Sequence, residues 1–87
     1  MRVLVVDDEV DLAQAIARGL RREGYAVDVA HDGEEALEKA RLTPYDLICL
    51  DITMPKMDGR AVCRAIRAEP VHAEPPRILM LTARDEI

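Results

Sequence analysis

Three apolar runs in this chain end on residues that can do chemistry. Val3-Leu-Val-Val6 is followed by Asp7 and Asp8, Leu47-Ile-Cys-Leu50 by Asp51, and Ile78-Leu-Met-Leu81 by Thr82. Three carboxylates brought to one point repel. At roughly 4 Å and an effective dielectric near ~20, each like-charged pair costs about 4 kcal/mol. Such a cluster either holds a proton or holds a cation, and an all-oxygen set with room for water suits Mg²⁺. A carboxylate beside a hard cation, with a hydroxyl nearby, is equipped for phosphoryl transfer. There the protein mainly positions groups and neutralises charge. Asp51 is the candidate nucleophile.

These residues share a site only if the elements before them end at one edge. Arg2–Val6, Tyr25–Ala30, Asp46–Leu50 and Arg77–Leu81 read as strands, three of them unbroken apolar runs. Between them, Asp11–Glu23 carries Leu12, Ile16 and Leu20 with Ala13 and Ala17 on one helical stripe, and Gly24 is placed to end it in a left-handed cap. Asp32 with Glu35 forms a variant of the capping box for a second helix, which Thr43-Pro44 closes. Asp58–Ala68 reads as a third helix with Val62, Cys63 and Ile66 inward, stopped by Pro70. The β-α-β-α-β-α-β order predicts right-handed crossovers and a parallel sheet. Ligands bind such sheets outside the carboxyl ends of the strands.

Taken singly, Asp8 or Asp58 reads as a helix cap, Thr82 as a turn residue, and Met54 and Met57 as loop packing. His31 and His72 lack metal-ligand spacing and are expected at the surface. Asp7, Asp8, Asp51 and Thr82 together favour a site, because all occupy the same structural address.

Bulk properties set limits. The chain has 87 residues, 17 acidic against 12 basic, for a formal net charge of −5. That balance argues against direct nucleic-acid binding by this segment. With Tyr25 and Tyr45 as its only aromatics, its core is expected from Val, Leu, Ile, Ala and Met. Cys49 and Cys63 are expected as reduced core residues, and no apolar run is long enough for a membrane span, so a cytoplasmic protein is expected.

The segments VLVVDDE, DLICLDITMPKMDG and ILMLTA together resemble the receiver domain of two-component response regulators, the CheY-like superfamily. The resemblance runs from Arg2 to Ala83. It implies a flavodoxin-like, doubly wound parallel sheet in the order 2-1-3-4, with residues 1–87 forming one incomplete receiver. It implies that Asp51 accepts a phosphoryl group from a sensor histidine kinase. Asp8, Asp51 and the Thr53 backbone carbonyl would ligate Mg²⁺ directly, and Asp7 through water. Thr82 would bind the phosphoryl group and switch with it, the Ala83 N–H would donate to it, and Thr53 and Arg84 would tune its lifetime. The longer protein is expected to regulate transcription through a DNA-binding part.

A receiver of this kind runs to ~120 residues, within the usual domain range. Ending at Ile87, in what reads as the first turn of a fourth helix, the chain is expected to lack the fifth strand and helix. With them go the lysine after that strand, its aromatic switch residue and a common partner face. Strand 4 would then be a bare apolar edge, which predicts a homodimer or an exchange of elements through it. Two other readings stand beside this one. A receiver-shaped segment could act by association without phosphorylation. A haloacid-dehalogenase-like phosphatase also uses an aspartate after an apolar strand, but requires a second acid two residues on, where this chain has Thr53. No enzyme activity beyond self-phosphorylation and self-dephosphorylation is expected.

Overall fold

The computed structural model describes residues 1–54 and 57–81. In chain order they form β1 (Arg2–Val6), α1 (Val10–Arg22), β2 (Ala26–Ala30), α2 (Gly33–Leu42), β3 (Leu47–Asp51), α3 (Gly59–Ala68) and β4 (Arg77–Leu81). The four described strands make one parallel sheet in the order β2-β1-β3-β4. The architecture is the predicted α/β one. Its element ends agree with the sequence reading to within a residue, and the one consequential difference is that Asp51 belongs to β3 itself.

The pleat explains the unbroken apolar runs. Along β1, Leu4 and Val6 face one layer of core with Ile48, Leu50, Tyr45 and Val62, under α2 and α3. Val3 and Val5 face the other, with Ala13, Ala17, Val27 and Cys49, under α1. Val3 to Val6 are each at most 1% exposed, so both faces of β1 are buried along these four residues. Register is uniform, Val6 standing opposite Ala30 on one side and Leu50 on the other. The carboxyl ends of β1 and β3 therefore lie side by side.

Four expectations need correction. Leu12 does not lie on the buried stripe of α1. Ala13 and Ala17 are fully buried and Leu12 is 38% exposed, because the helix approaches the sheet on its alanine side and leaves the larger residue at the margin. The core does contain an aromatic: Tyr45 is buried, and its hydroxyl donates to Asp28 Oδ2 at 2.6 Å. Asp28 also accepts from Arg2 Nη2 at 3.0 Å, which satisfies the polar end of the ring. His31 and His72 are half-buried, each with a ring nitrogen against a backbone carbonyl. Cys63 is only half-buried, although it and the buried Cys49 are both free thiols as expected.

Apart from the start of α1, helix ends behave as the sequence indicates. Gly24 takes φ 96° after α1. Asp32 Oδ1 accepts from Glu35 N and Asp58 Oδ1 from Ala61 N, capping α2 and α3. Asp8 caps nothing: Glu9 is the N-cap residue of α1, and no side chain caps that terminus.

Candidate functional site

Asp7 follows β1 and Asp51 ends β3, so the β1–β3 pairing sets them next to each other above the sheet. One oxygen from each of Asp7, Asp8 and Asp51 lies within 4.8 Å of the others. Asp7 and Asp51 are each only 7% exposed, whereas Asp8 faces solvent. At that separation and an effective dielectric of ~20, a pair of like unit charges costs about 3.5 kcal/mol. The sequence-predicted carboxylates are thus brought together, in two depths.

Local hydrogen bonds fix how they point. The Asp7 N–H donates to the Ala30 carbonyl at 3.0 Å, tying the end of β1 to the end of β2. Asp7 Oδ1 accepts from the Glu9 N–H at 2.9 Å. Asp51 Oδ1 accepts from the Thr53 N–H at 3.2 Å. Each of these two carboxylates thus has one oxygen tied to its own loop. The Ile52 N–H donates to the Leu81 carbonyl, carrying the β3–β4 pairing one residue past Asp51. The Gly59 N–H then closes the turn onto the Ile52 carbonyl at 3.0 Å.

Gly59 is required there by close approach. A β-carbon built on it collides with the Asp51 carbonyl oxygen and comes within 2.9 Å of Ile52 Cα. Met54 is buried in the core layer with Leu50 and Val62, and Met57 packs against that layer, so both are packing residues as expected. The first turn of α3 is therefore pressed directly onto the backbone that carries Asp51.

Burial pushes the Asp51 carboxyl above its ordinary value of 3.8. The Thr53 N–H opposes this, and the negative charges of Asp7, Asp8 and Glu9 add to the rise. The site holds its own charges at a cost that a cation would remove. The donor set is hard and anionic, which fits Mg²⁺ and gives no reason to prefer a softer metal. Thr53 lies two residues from Asp51 and is exposed. Thr82, Ala83 and Arg84 lie outside the described residues, as does the expected first turn of a fourth helix.

Residues 3–87 match the response regulator receiver domain model. The chain belongs to that family. It is 49% identical over all 87 of its residues to the transcriptional regulatory protein CutR of Streptomyces coelicolor, covering 39% of that protein. It is 47% identical over 85 residues to the alkaline phosphatase synthesis transcriptional regulatory protein PhoP of Bacillus subtilis, covering 34% of it. The receiver thus spans less than two-fifths of the length of these curated relatives. Among solved structures it resembles chemotaxis protein CheY4 of Vibrio cholerae, with a TM-score of 0.87 and 39% identity over 98% of this chain and 70% of that one. It also resembles the response regulator TrrA of Thermotoga maritima, solved in complex with Mg²⁺-BeF. There the TM-score is 0.85 and the identity 42%, over 95% of this chain and 70% of the other. Family membership removes the dehalogenase-like reading.

Sequence reasoning missed one residue near this receiver's acidic site. His31 has Nδ1 3.2 Å from the Asp7 carbonyl oxygen. Its position at the end of β2, the neighbour of β1, was the available signal.

Proposed function

We propose that this receiver accepts a phosphoryl group on Asp51, with Mg²⁺ held by Asp8, Asp51 and the Thr53 carbonyl directly and by Asp7 through water. The observation that carries the reading is the placement of a buried carboxylate, Asp51, at the end of β3 within 4.8 Å of oxygens from Asp7 and Asp8. The phosphodonor is a phosphohistidine on a sensor kinase. An Asp51 oxygen attacks phosphorus, the phosphorus–nitrogen bond breaks, and the imidazole leaves with the electron pair and takes up a proton. The product is an acyl phosphate on Asp51. Bound Mg²⁺ would neutralise charge on the transferring group and orient its oxygens. The chain's own contribution is orientation. The Thr53 N–H holds one oxygen of Asp51 and the Glu9 N–H one of Asp7, while Asp8 faces solvent. Thr82 and Ala83 would contact the phosphoryl group.

The names of the relatives support a regulator of transcription as the longer protein, which would act in the cytoplasm. DNA would then be contacted outside this acidic segment.

The test is intact-mass spectrometry after incubation with Mg²⁺ and acetyl phosphate. The chain is expected to gain one phosphoryl group. Asp51→Asn and a chelator should each abolish the gain. A folded chain that gains nothing would contradict the proposal and favour a receiver-shaped segment acting through association alone.

A further inference from the structure

Asp7 and Asp8 are consecutive, so one peptide plane separates the two carboxylates. Displacing the main chain of Asp7 therefore moves both carboxylates together. Three contacts restrain Asp7: its N–H on the Ala30 carbonyl, its Oδ1 on the Glu9 N–H, and its carbonyl oxygen against His31 Nδ1 at 3.2 Å. The second closes a turn through the Asp7–Asp8 peptide, and the third meets that peptide's own carbonyl oxygen.

A carbonyl oxygen can only accept, so this contact is a hydrogen bond when Nδ1 carries the proton. The histidine is itself held. Its backbone N–H donates to Glu35 Oε1 at 2.8 Å. Glu35 is placed by its N–H on Asp32 Oδ1 and by its ion pair with Lys39 at 3.1 Å. Lys39 reaches on to the Val29 carbonyl. The first turn of α2 and the end of β2 thus form a braced frame, and His31 extends from it to the acidic loop.

We infer that His31 is a positioning residue for the acidic site: its Nδ1–H holds the Asp7 main-chain carbonyl, and with it the loop that carries both carboxylates, and so raises Mg²⁺ affinity without touching the ion. This rests on the Mg²⁺ reading above. A ligand-orienting bond outside the coordination sphere is a recognised determinant of metal affinity. Here it acts through the main chain of the ligands.

The test is calorimetric titration of Mg²⁺ into three forms of the chain. His31→Leu keeps comparable bulk and removes the donor. His31→Asn returns an N–H one bond beyond Cγ, where Nδ1 stood. The leucine variant is expected to bind Mg²⁺ about five-fold more weakly, the effect of one hydrogen bond. The asparagine variant is expected to recover most of that loss, with similar melting temperatures for the two metal-free variants. Equal affinity in the leucine variant, or no rescue by asparagine, would overturn the inference alone. A wild-type chain that binds no Mg²⁺ would overturn the metal reading and this inference with it. A measurement that needs no variant is the ring ¹⁵N spectrum of the wild type at mildly alkaline pH. The Nδ1–H tautomer of neutral His31 is expected there, and the Nε2–H tautomer would overturn the inference even if a variant fails to fold.

Discussion

At the scale of single residues, the site and its supports differ in how they could be read. Asp7, Asp8 and Asp51 were legible because each follows an apolar run, and parallel strands deliver the residues after such runs to one edge. The Tyr45–Asp28–Arg2 network was not. Its members lie 17 and 26 residues apart, on β2, on β1 and in the segment before β3, and no periodicity joins them. The network has a measurable consequence. Burial, with the hydrogen bond to Asp28, raises the Tyr45 hydroxyl from 10.0 to about 12. The same bond holds the Asp28 carboxyl below its ordinary value. A phenol harder to ionise in the folded chain contributes stability that is complete below pH 10.0 and lost as pH rises toward about 12. Tyr45→Phe is expected to cost about 1–3 kcal/mol at neutral pH, since it leaves a partly buried carboxylate short of a donor. Denaturant melts from pH 9 to 12 should show the wild-type advantage shrinking with alkalinity. An advantage independent of pH would contradict the assignment.

At the scale of elements, strand order and capping were legible, and packing distances were not. VLVV, LICL and RILML announce strands, and Asp32 and Asp58 announce helix starts that the structure bears out. The sequence does not distinguish a glycine that is merely tolerated from one that is required. Gly19 and Gly59 both lie within helices, yet a β-carbon on Gly19 meets nothing within 4 Å, while one on Gly59 strikes the backbone of Asp51 and Ile52. The same substitution should therefore act in opposite directions. Gly19→Ala is expected to stabilise by about 0.5–1 kcal/mol through helix propensity. Gly59→Ala is expected to destabilise by about 1–3 kcal/mol, because α3 must move off the β3 turn, and to weaken Mg²⁺ binding with it. Chemical denaturation of the two variants, with Mg²⁺ titrations, checks both signs.

At the scale of the whole molecule, the two faces of the sheet are covered unequally. The helices α2 and α3 lie over one face, and Ile78 and Met80 of β4 pack there. On the other face α1 lies over β1 and β2. Leu79 and Leu81 are 50% and 37% exposed, and among the described residues no strand pairs with the outer edge of β4. An apolar edge with open backbone groups is a surface that a second copy can complete. The 87-residue chain is expected to self-associate at micromolar concentration through β4. Leu79→Lys, which puts a charge on the exposed face, should shift it toward monomer. Sedimentation velocity over a concentration series reads this directly, and a wild-type chain monomeric throughout would remove the prediction. No helix among the described residues is long and apolar enough to cross a membrane.

The proposed phosphoryl transfer turns on one carboxylate, Asp51. Its most direct test is borohydride reduction of the chain after treatment with Mg²⁺ and acetyl phosphate, followed by peptide mapping. An acyl phosphate is reduced at its carboxyl carbon, so the modified aspartate is read as homoserine. Modification is expected at Asp51 alone, and only when Mg²⁺ is present. Modification at Asp7 or Asp8, spread over several acids, or unaffected by removing the metal would contradict the proposed transfer.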